Sequence, residues 1–205
     1  SFDARNQMLC GYYAFKGGNY DYARANLLLM SKDRRSDGLL SITFPCGTPF
    51  TIPGYSLYFI IAVKEYVEHS RDVEAAREMY DKMRSLFKVF LANMENGFIC
   101  SFEGRDKWNF YDWTPYMKNT NGTSQKKPDL MINCLMIKAL NDFKWLCEAG
   151  GMEFDYQEEL QSIAAAAKKA FYHTEDGLFA LTAEDNLYTV LGNSFAILSG
   201  LATKE

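Results

Sequence analysis

The chain has 205 residues, of which 48% are hydrophobic and 23% are charged, with five prolines. This composition is typical of a soluble globular domain, and the length is sufficient for one sizeable core. A net charge of −4 at pH 7 without a basic stripe argues against nucleic acid as a partner. The longest apolar run, residues 55–63, is too short to span a membrane.

The cysteines are odd in number, widely spaced and free of any CxxC pair. This pattern predicts reduced, mostly buried thiols and no zinc site. Together with the absence of a signal segment from the chain, it favours a cytoplasmic location. The five residues are Cys10, Cys46, Cys100, Cys134 and Cys147.

The first two segments predict a helical hairpin. Residues 1–16 are rich in aromatic side chains spread round a helix, which indicates burial on most sides. Residues 20–35 place Ala23, Leu27 and Met30 at helical spacing and predict an amphipathic partner helix.

The same order, a buried helix followed by an amphipathic one, then recurs twice. Residues 55–69 and 129–147 are apolar on nearly all sides, whereas 73–93 and 156–172 each carry one apolar stripe. Residues 188–202 predict a seventh helix. Asp72 is expected to cap the helix over 73–93, and Pro128 suits the first turn of the helix over 129–147.

A turn of Asp or Asn, Gly and an apolar residue follows each pair: Asp37-Gly38-Leu39, Asn96-Gly97-Phe98 and Asp176-Gly177-Leu178. The uneven spacing of these turns argues against an array of strict helical repeats. It predicts helical hairpins decorated by long loops, residues 41–54 and 100–127, that emerge at one rim.

These pairs predict an all-α fold in two concentric layers, with the buried helices inside. An α/α toroid satisfies this arrangement. A four-helix bundle is the alternative architecture, although it fits seven helices and two long loops poorly.

The loop over residues 108–116 contains two Trp, two Tyr, one Phe and the carboxylate of Asp112. Aromatic faces can cover the C–H side of a sugar ring, while a carboxylate accepts hydrogen bonds from its hydroxyls. A plug of core aromatic residues is the alternative interpretation. The placement of Asp112 between Trp108 and Trp113 favours a binding role, because Asp is rare among aromatic residues unless it is paired or used.

Other polar groups are expected near the starts of the buried helices. Asp3 could be a helix cap and Arg5 its surface partner, while Tyr55 could belong to the core. Lys126 and Lys127 precede Asp129 in a charged cluster that is expected to be solvated.

The chain has two histidines, His69 and His173, and lacks a glycine-rich phosphate loop. A histidine-dependent catalytic triad and a multi-histidine metal site are therefore not expected. We predict no metal and no other cofactor.

Five stretches together resemble the bacterial α-L-rhamnosidase family, which are six-hairpin glycoside hydrolases. They are residues 1–9, the Asp-Gly-Leu turn, and residues 51–57, 111–113 and 193–202. The resemblance spans essentially the whole chain. It implies an (α/α)6 toroid, and the seven predicted helices would be about half of its twelve-helix ring. It also implies hydrolysis of terminal α-L-rhamnose in an oligosaccharide or glycoside, with inversion and without a cofactor.

The resemblance also implies roles for individual residues. Asp3 would be the last carboxylate of the family's acidic sugar-binding motif, and Asp112 with Trp113 would be its Asp-Trp pair at the sugar pocket. The predicted substrate-binding residues are Asp3, Arg5, Tyr55, Trp108, Asp112 and Trp113.

The family's general acid lies just before the position of Asp3, and its general base lies beyond the position of Ala202. Residues 1–205 are therefore expected to be one partial catalytic domain, truncated at both ends and inactive alone. Inner-helix surface left uncovered could make it self-associate. The alternatives are another six-hairpin glycosidase or lyase, and a toroid that binds carbohydrate or acts as a scaffold without catalysis.

Overall fold

The computed structural model describes residues 20–45, 49–113, 126–184 and 186–202. The helices in these ranges are α1 (Tyr20–Ser31), α2 (Pro53–Ser70), α3 (Val73–Ala92), α4 (Leu130–Gly150), α5 (Gln157–Phe171) and α6 (Val190–Leu198). The predicted helix over 1–16 lies outside the described residues.

Two helices are shorter than the sequence predicted. Helix α1 ends at Ser31, after which the Asp33 carboxylate accepts a hydrogen bond from the backbone N–H of Ser41. Helix α6 begins at Val190, and the chain leaves it at Gly200, whose φ is 80°. A positive φ is incompatible with a continuing right-handed helix.

The helices form two layers. Helices α2, α4 and α6 lie side by side with α4 in the middle, and α1, α3 and α5 pack outside them. Helix α4 has 15 of its 21 residues buried, whereas the buried residues of α3 form one stripe. This confirms the predicted alternation of a buried and an amphipathic helix for the second and third pairs, the two pairs that the described residues cover.

The inner helices start at the same end of the layer. A Cβ on Gly54, in the first turn of α2, would lie 3.3 Å from the Leu135 side chain of α4. A Cβ on Gly192, in the first turn of α6, would lie 3.2 Å from the Leu130 side chain of α4. The three N-termini therefore meet at one rim.

Side-chain caps fix where several helices begin. Asp72 accepts a hydrogen bond from the Ala75 N–H at 3.2 Å, as the sequence predicted. Helix α4 begins with a cap at Asp129, so Pro128 lies one residue before the cap instead of in the first turn. Thr189 caps α6 through the Gly192 N–H at 3.0 Å.

A two-stranded hairpin follows each of the last two outer helices. Strands β1 (Met94–Glu95) and β2 (Phe98–Ile99) pair after α3, and β3 (Tyr172–His173) and β4 (Leu178–Phe179) pair after α5. Their turns contain Gly97, with φ 86°, and Gly177, with φ 66°. These turns and the one at Gly38, with φ 81°, are those that the sequence repeat predicted.

Each turn is joined to the next inner helix by the same contact. The side-chain oxygen of the fourth residue after the helix cap accepts a hydrogen bond from a backbone N–H. That N–H belongs to the second residue after the turn glycine. Ser56 accepts from Leu40, Asn133 accepts from Ile99 and Asn193 accepts from Phe179. The sequence repeat is thus a repeated register between an outer turn and an inner helix.

No described helix combines the length and the apolarity that a bilayer crossing requires. Three cysteines, Cys100, Cys134 and Cys147, are buried free thiols, as predicted. Cys10 and Cys46 lie outside the described residues.

Candidate functional site

The two long loops run side by side above the N-termini of the inner helices. The Thr51 N–H donates to the Asp106 carbonyl at 2.8 Å, and the Trp108 N–H donates to the Thr51 carbonyl at 2.8 Å. Thr51 is fully buried between them. The predicted meeting of the two loops at one rim is confirmed by these bonds.

A buried asparagine fixes the loop segment that carries the aromatic residues, which we call the rim loop (residues 108–113). The Asn109 Oδ1 accepts from the Phe102 N–H at 2.9 Å, and its Nδ2 donates to the Phe102 carbonyl at 2.8 Å. Phe102 packs edge-on against Phe90 of α3 at 5.1 Å between ring centroids. The base of the rim loop is therefore fixed to the outer layer.

An ion-pair network holds the segment before the rim loop. The Arg35 guanidinium donates to Asp37 at 2.9 Å and to Asp106 at 2.7 Å, and the Lys107 ammonium lies 3.3 Å from Asp37. Burial raises the pKa of the Asp37 carboxyl, but the hydrogen bonds and charge of Arg35 outweigh it and lower that pKa overall. The network connects the first helix pair to the rim loop.

Three aromatic rings form the outer part of the site, which we call the rim cluster (Trp108, Phe110 and Trp113). The ring centroids of Trp108 and Trp113 are 5.6 Å apart, and those of Phe110 and Trp113 are 4.8 Å apart. Phe110 is buried, while Trp113 is 70% exposed. The cluster thus has a packed base and one large aromatic face open to solvent.

Asp112 lies within this cluster in the sequence and shapes the end of the loop. Its Oδ1 accepts from the Trp113 N–H at 2.8 Å, which is an interaction of the kind that short polar side chains make in turns. The described residues give Oδ2 no hydrogen-bond partner. One oxygen of Asp112 thus orients the backbone of Trp113.

The Tyr111 side chain points away from the rim cluster and lies between two inner helices. Its ring would lie 3.8 Å from a Cβ on Gly54 of α2, close to Leu135 of α4. Its hydroxyl donates to the Asp129 Oδ2 at 3.0 Å, while the Asp129 Oδ1 caps α4 through the Ile132 N–H at 2.9 Å. A single carboxylate therefore joins the rim loop to the start of the central inner helix.

The protonation of this pair differs from that of exposed groups. Burial raises the pKa of Asp129 to about 6, against the lowering effect of the hydrogen bonds from Ile132 and Tyr111. Burial, together with the neighbouring Asp129 carboxylate, raises the pKa of Tyr111 well above its usual value. Asp129 therefore loses its proton at a higher pH than an exposed Asp carboxyl does.

A second aromatic group lies on the inner helices. Tyr55 meets Tyr58 edge-on at 6.2 Å between ring centroids, and Tyr58 meets Phe195 of α6 at 6.3 Å. All three are half-buried. Tyr58, Tyr111 and Phe195 all pack against the main hydrophobic core.

The structure brings only some of the predicted site residues together. Trp108, Asp112 and Trp113 belong to one loop, and Tyr55 belongs to the second aromatic group. Asp3 and Arg5 lie outside the described residues.

The predicted cluster of Lys126, Lys127 and Asp129 does not form a unit. Lys126 pairs with Glu95 at 2.7 Å, and Lys127 lies 3.8 Å from Glu184. Asp129 instead turns inward to Tyr111. Neighbours in the sequence diverge here because the chain enters helix α4 at this point.

Sequence reasoning missed Tyr58, Tyr111 and Phe195 as members of the site. Tyr58 and Phe195 read as ordinary core positions of apolar helices, and nothing in the sequence pairs Tyr111 with Asp129. The signal for Tyr111 was its position between the rim aromatic residues. Among the described residues, no group of three or more His, Cys, Asp or Glu side chains is placed to hold a metal ion.

Comparisons with known proteins agree with this architecture. The sequence model of the bacterial alpha-L-rhamnosidase 6 hairpin glycosidase domain matches residues 3–205. No curated protein matches the chain.

The solved structures that share the fold include two rhamnosidases. A GH78 family rhamnosidase of Bacillus sp. GL1 superimposes with a TM-score of 0.85 at 22% identity, covering 99% of this chain and 21% of that one. A rhamnosidase from Klebsiella oxytoca with rhamnose bound superimposes with a TM-score of 0.76 at 22% identity, covering 98% of this chain and 38% of that one. The predicted all-α toroid fold is confirmed, and the chain spans well under half of either neighbour.

Proposed function

The chain belongs to the bacterial α-L-rhamnosidase six-hairpin glycosidase family, and from this premise we propose that its protein hydrolyses terminal α-L-rhamnosides at the rim described above. The observation that carries the proposal is the Asp112–Trp113 pair, which places an exposed indole and a carboxylate on adjacent residues of the rim loop. The pair lies above the N-termini of the inner helices.

Rhamnose suits this chemistry. It is a 6-deoxy sugar, so one edge carries a methyl group that an aromatic face can cover, and the other edges carry hydroxyls. The Trp113 face would bury apolar C–H surface, and the Asp112 Oδ2 would accept a charge-assisted hydrogen bond from a sugar hydroxyl. The neighbouring structure with rhamnose bound makes rhamnose the first ligand to test.

We propose an inverting reaction whose general acid and general base come from residues other than the rim carboxylates. Inversion needs two carboxyl groups about 6.5–9.5 Å apart, one to protonate the leaving oxygen and one to activate water. Asp112 orients Trp113, and Asp129 caps α4 and binds Tyr111, so both are suited to holding groups in place. On this proposal the chain supplies sugar binding, and residues 1–205 alone do not hydrolyse the substrate.

The test uses the intact protein and two aryl glycosides, an α-L-rhamnoside and a β-D-glucoside. We expect hydrolysis of the rhamnoside alone, and NMR of the first product should show β-L-rhamnose, the inverted anomer. Rhamnose binding without hydrolysis would support a carbohydrate-binding toroid instead. Preference for the glucoside, or release of the α-anomer, would contradict the proposal.

Self-association stays a prediction. Helix α6 exposes 88% of Val190, 67% of Ile197 and 62% of Leu198, next to a groove of about 290 Å³ between α5, β4 and α6. An apolar surface of this kind favours association. Sedimentation at several concentrations of the 205-residue chain should show a mass that rises with concentration.

A further inference from the structure

The carboxylate of Asp129 has two separate tasks, one for each oxygen. Oδ1 caps helix α4, and Oδ2 accepts from the Tyr111 hydroxyl at 3.0 Å. A cap alone requires one oxygen, as Thr189 shows by capping α6 with its single hydroxyl. The second oxygen is therefore available to act on the rim loop.

The position of this contact along the rim loop matters. The anchors through Thr51 and Asn109 hold residues up to 109. Among the described residues, the tertiary hydrogen bond nearest in sequence to Asp112 is that of Tyr111 to Asp129. Because Tyr111 directly precedes Asp112, holding the Tyr111 ring at Asp129 restricts the backbone from which the Asp112 and Trp113 side chains extend.

We propose that Asp129 is a positioning residue: acting through the Tyr111 hydroxyl, it sets the orientation in which Asp112 and Trp113 meet a bound sugar. The inference rests on the proposed function, because it gives the rim loop its ligand. Asp129 itself does not touch the sugar in this scheme. By holding the loop in one orientation before the sugar binds, Asp129 lowers the conformational entropy that the loop loses on binding.

The surroundings of Asp129 make this effect dependent on pH. The titratable groups that interact electrostatically with Asp129 are Tyr111 from the rim loop, Cys134 from α4 and Cys100 after β2. None of them is cationic, and no described cation contributes to its ionisation. An ionised carboxylate accepts a stronger hydrogen bond than a protonated one, so the loop is held more firmly above pH about 6.

The fold provides a matched pair elsewhere. The Tyr66 hydroxyl donates to the Asp72 cap of α3 at 2.8 Å, with Arg24 bound to the same carboxylate at 2.9 Å. This second tyrosine–cap contact joins α2 to the start of α3 and is not part of the rim loop. Tyr66→Phe is therefore the control for Tyr111→Phe.

Kinetics with the aryl α-L-rhamnoside separate positioning from a general structural role. Tyr111→Phe and Asp129→Ser should each raise KM about tenfold with little change in kcat, since one hydrogen bond to a charged group is lost. The serine keeps the cap but lacks the second oxygen. Tyr66→Phe should leave KM unchanged, and an equal rise in KM in this control would overturn the proposal.

A second measurement does not depend on catalysis. In protein labelled with 5-fluorotryptophan, 19F NMR signals of Trp108 and Trp113 can be assigned from the Trp→Phe variants and followed from pH 4.5 to 7.5. We expect the Trp113 signal to shift with a midpoint near pH 6, and the shift to vanish in Tyr111→Phe but persist in Tyr66→Phe.

Failure of this positioning role can be distinguished from failure of the proposed function. If the protein neither binds nor hydrolyses rhamnosides, the proposed function is wrong, yet the 19F titration still tests the Asp129–Tyr111 link. A Trp113 signal that responds identically to pH in wild type and Tyr111→Phe would show that Asp129 does not position the loop.

Discussion

The side-chain amide of Asn133 makes two hydrogen bonds with the backbone of Ile99: Oδ1 accepts from the N–H at 3.0 Å and Nδ2 donates to the carbonyl at 3.0 Å. Asn133 lies in the first turns of α4 and is fully buried. Because the segment leading to the rim loop begins directly after Ile99, this contact sets where that segment starts relative to the inner helix. Asn193 and Phe179 repeat the arrangement at α6.

The first prediction concerns this contact. Asn133→Ala leaves a buried N–H and a buried carbonyl without partners, so we expect the free energy of unfolding to fall by about 2–3 kcal/mol. Asn193→Ala removes the same bonds at a half-buried position and should cost about 1 kcal/mol. Urea denaturation at constant m-value measures both. Equal losses would show that burial does not determine the cost.

Trp113 should matter for binding and not for folding. Its side chain is 70% exposed, so Trp113→Ala should change the free energy of unfolding by no more than about 0.5 kcal/mol. Loss of the aromatic face should weaken rhamnose binding about tenfold in calorimetric titration. Tyr22→Ala, at a 51% exposed aromatic residue on α1, is the control and should bind rhamnose normally. Unchanged binding by Trp113→Ala would contradict the role of the rim cluster.

Asp112 allows its two functions to be separated. Asp112→Asn keeps an acceptor for the Trp113 N–H but removes the charge, so rhamnose affinity should fall about five- to tenfold while stability stays the same. Asp112→Ala should also lose the turn contact and bind more weakly than the asparagine variant. If the asparagine variant binds as well as wild type, the sugar does not use the charge of Asp112.

The half-buried Asp129 predicts a stability difference with a definite sign. Its pKa is raised to about 6 in the folded protein, so the folded state keeps a proton that the unfolded state has released. Its contribution to stability is therefore present below pH about 4 and is lost as pH rises through about 6. Asparagine caps helices well and does not titrate. As pH rises from 4 to 7.5, the free energy of unfolding of Asp129→Asn should increase relative to that of wild type by on the order of 2–3 kcal/mol.

Asp72→Asn is the control with the opposite sign. Burial raises the pKa of Asp72, but hydrogen bonds from Tyr66 and Ala75 and the charge of Arg24 outweigh it and lower that pKa overall. The stability that Asp72 provides is thus present at neutral pH and is lost as pH falls through its lowered pKa. Denaturation curves at several pH values should move in opposite directions for the two variants. Parallel shifts would contradict the assignment at Asp129.

The helices and their layering could be predicted from the sequence because they depend on local periodicity. The uniform apolarity of residues 129–147 requires burial on all sides, and the single stripe of 73–93 requires one buried face. The glycine turns at 38, 97 and 177 could be predicted because their positive φ angles suit glycine. The end of α1 and the place of Pro128 could not, because tertiary hydrogen bonds and the cap at Asp129 determined them.

The rim loop also has features that the sequence determines and features that the tertiary structure decides. Its composition and its family resemblance are properties of the sequence, and they sufficed to name Trp108, Asp112 and Trp113 as binding residues. The direction of each side chain was decided by contacts between residues far apart in the chain: Thr51 with Trp108, and Asp129 with Tyr111. Sequence periodicity does not encode such contacts, because they form only when the N-termini of the inner helices meet. The sequence alone therefore determined which groups are present, and the tertiary structure decided that Asp129, placed by the sequence among lysines, turns inward to hold the loop.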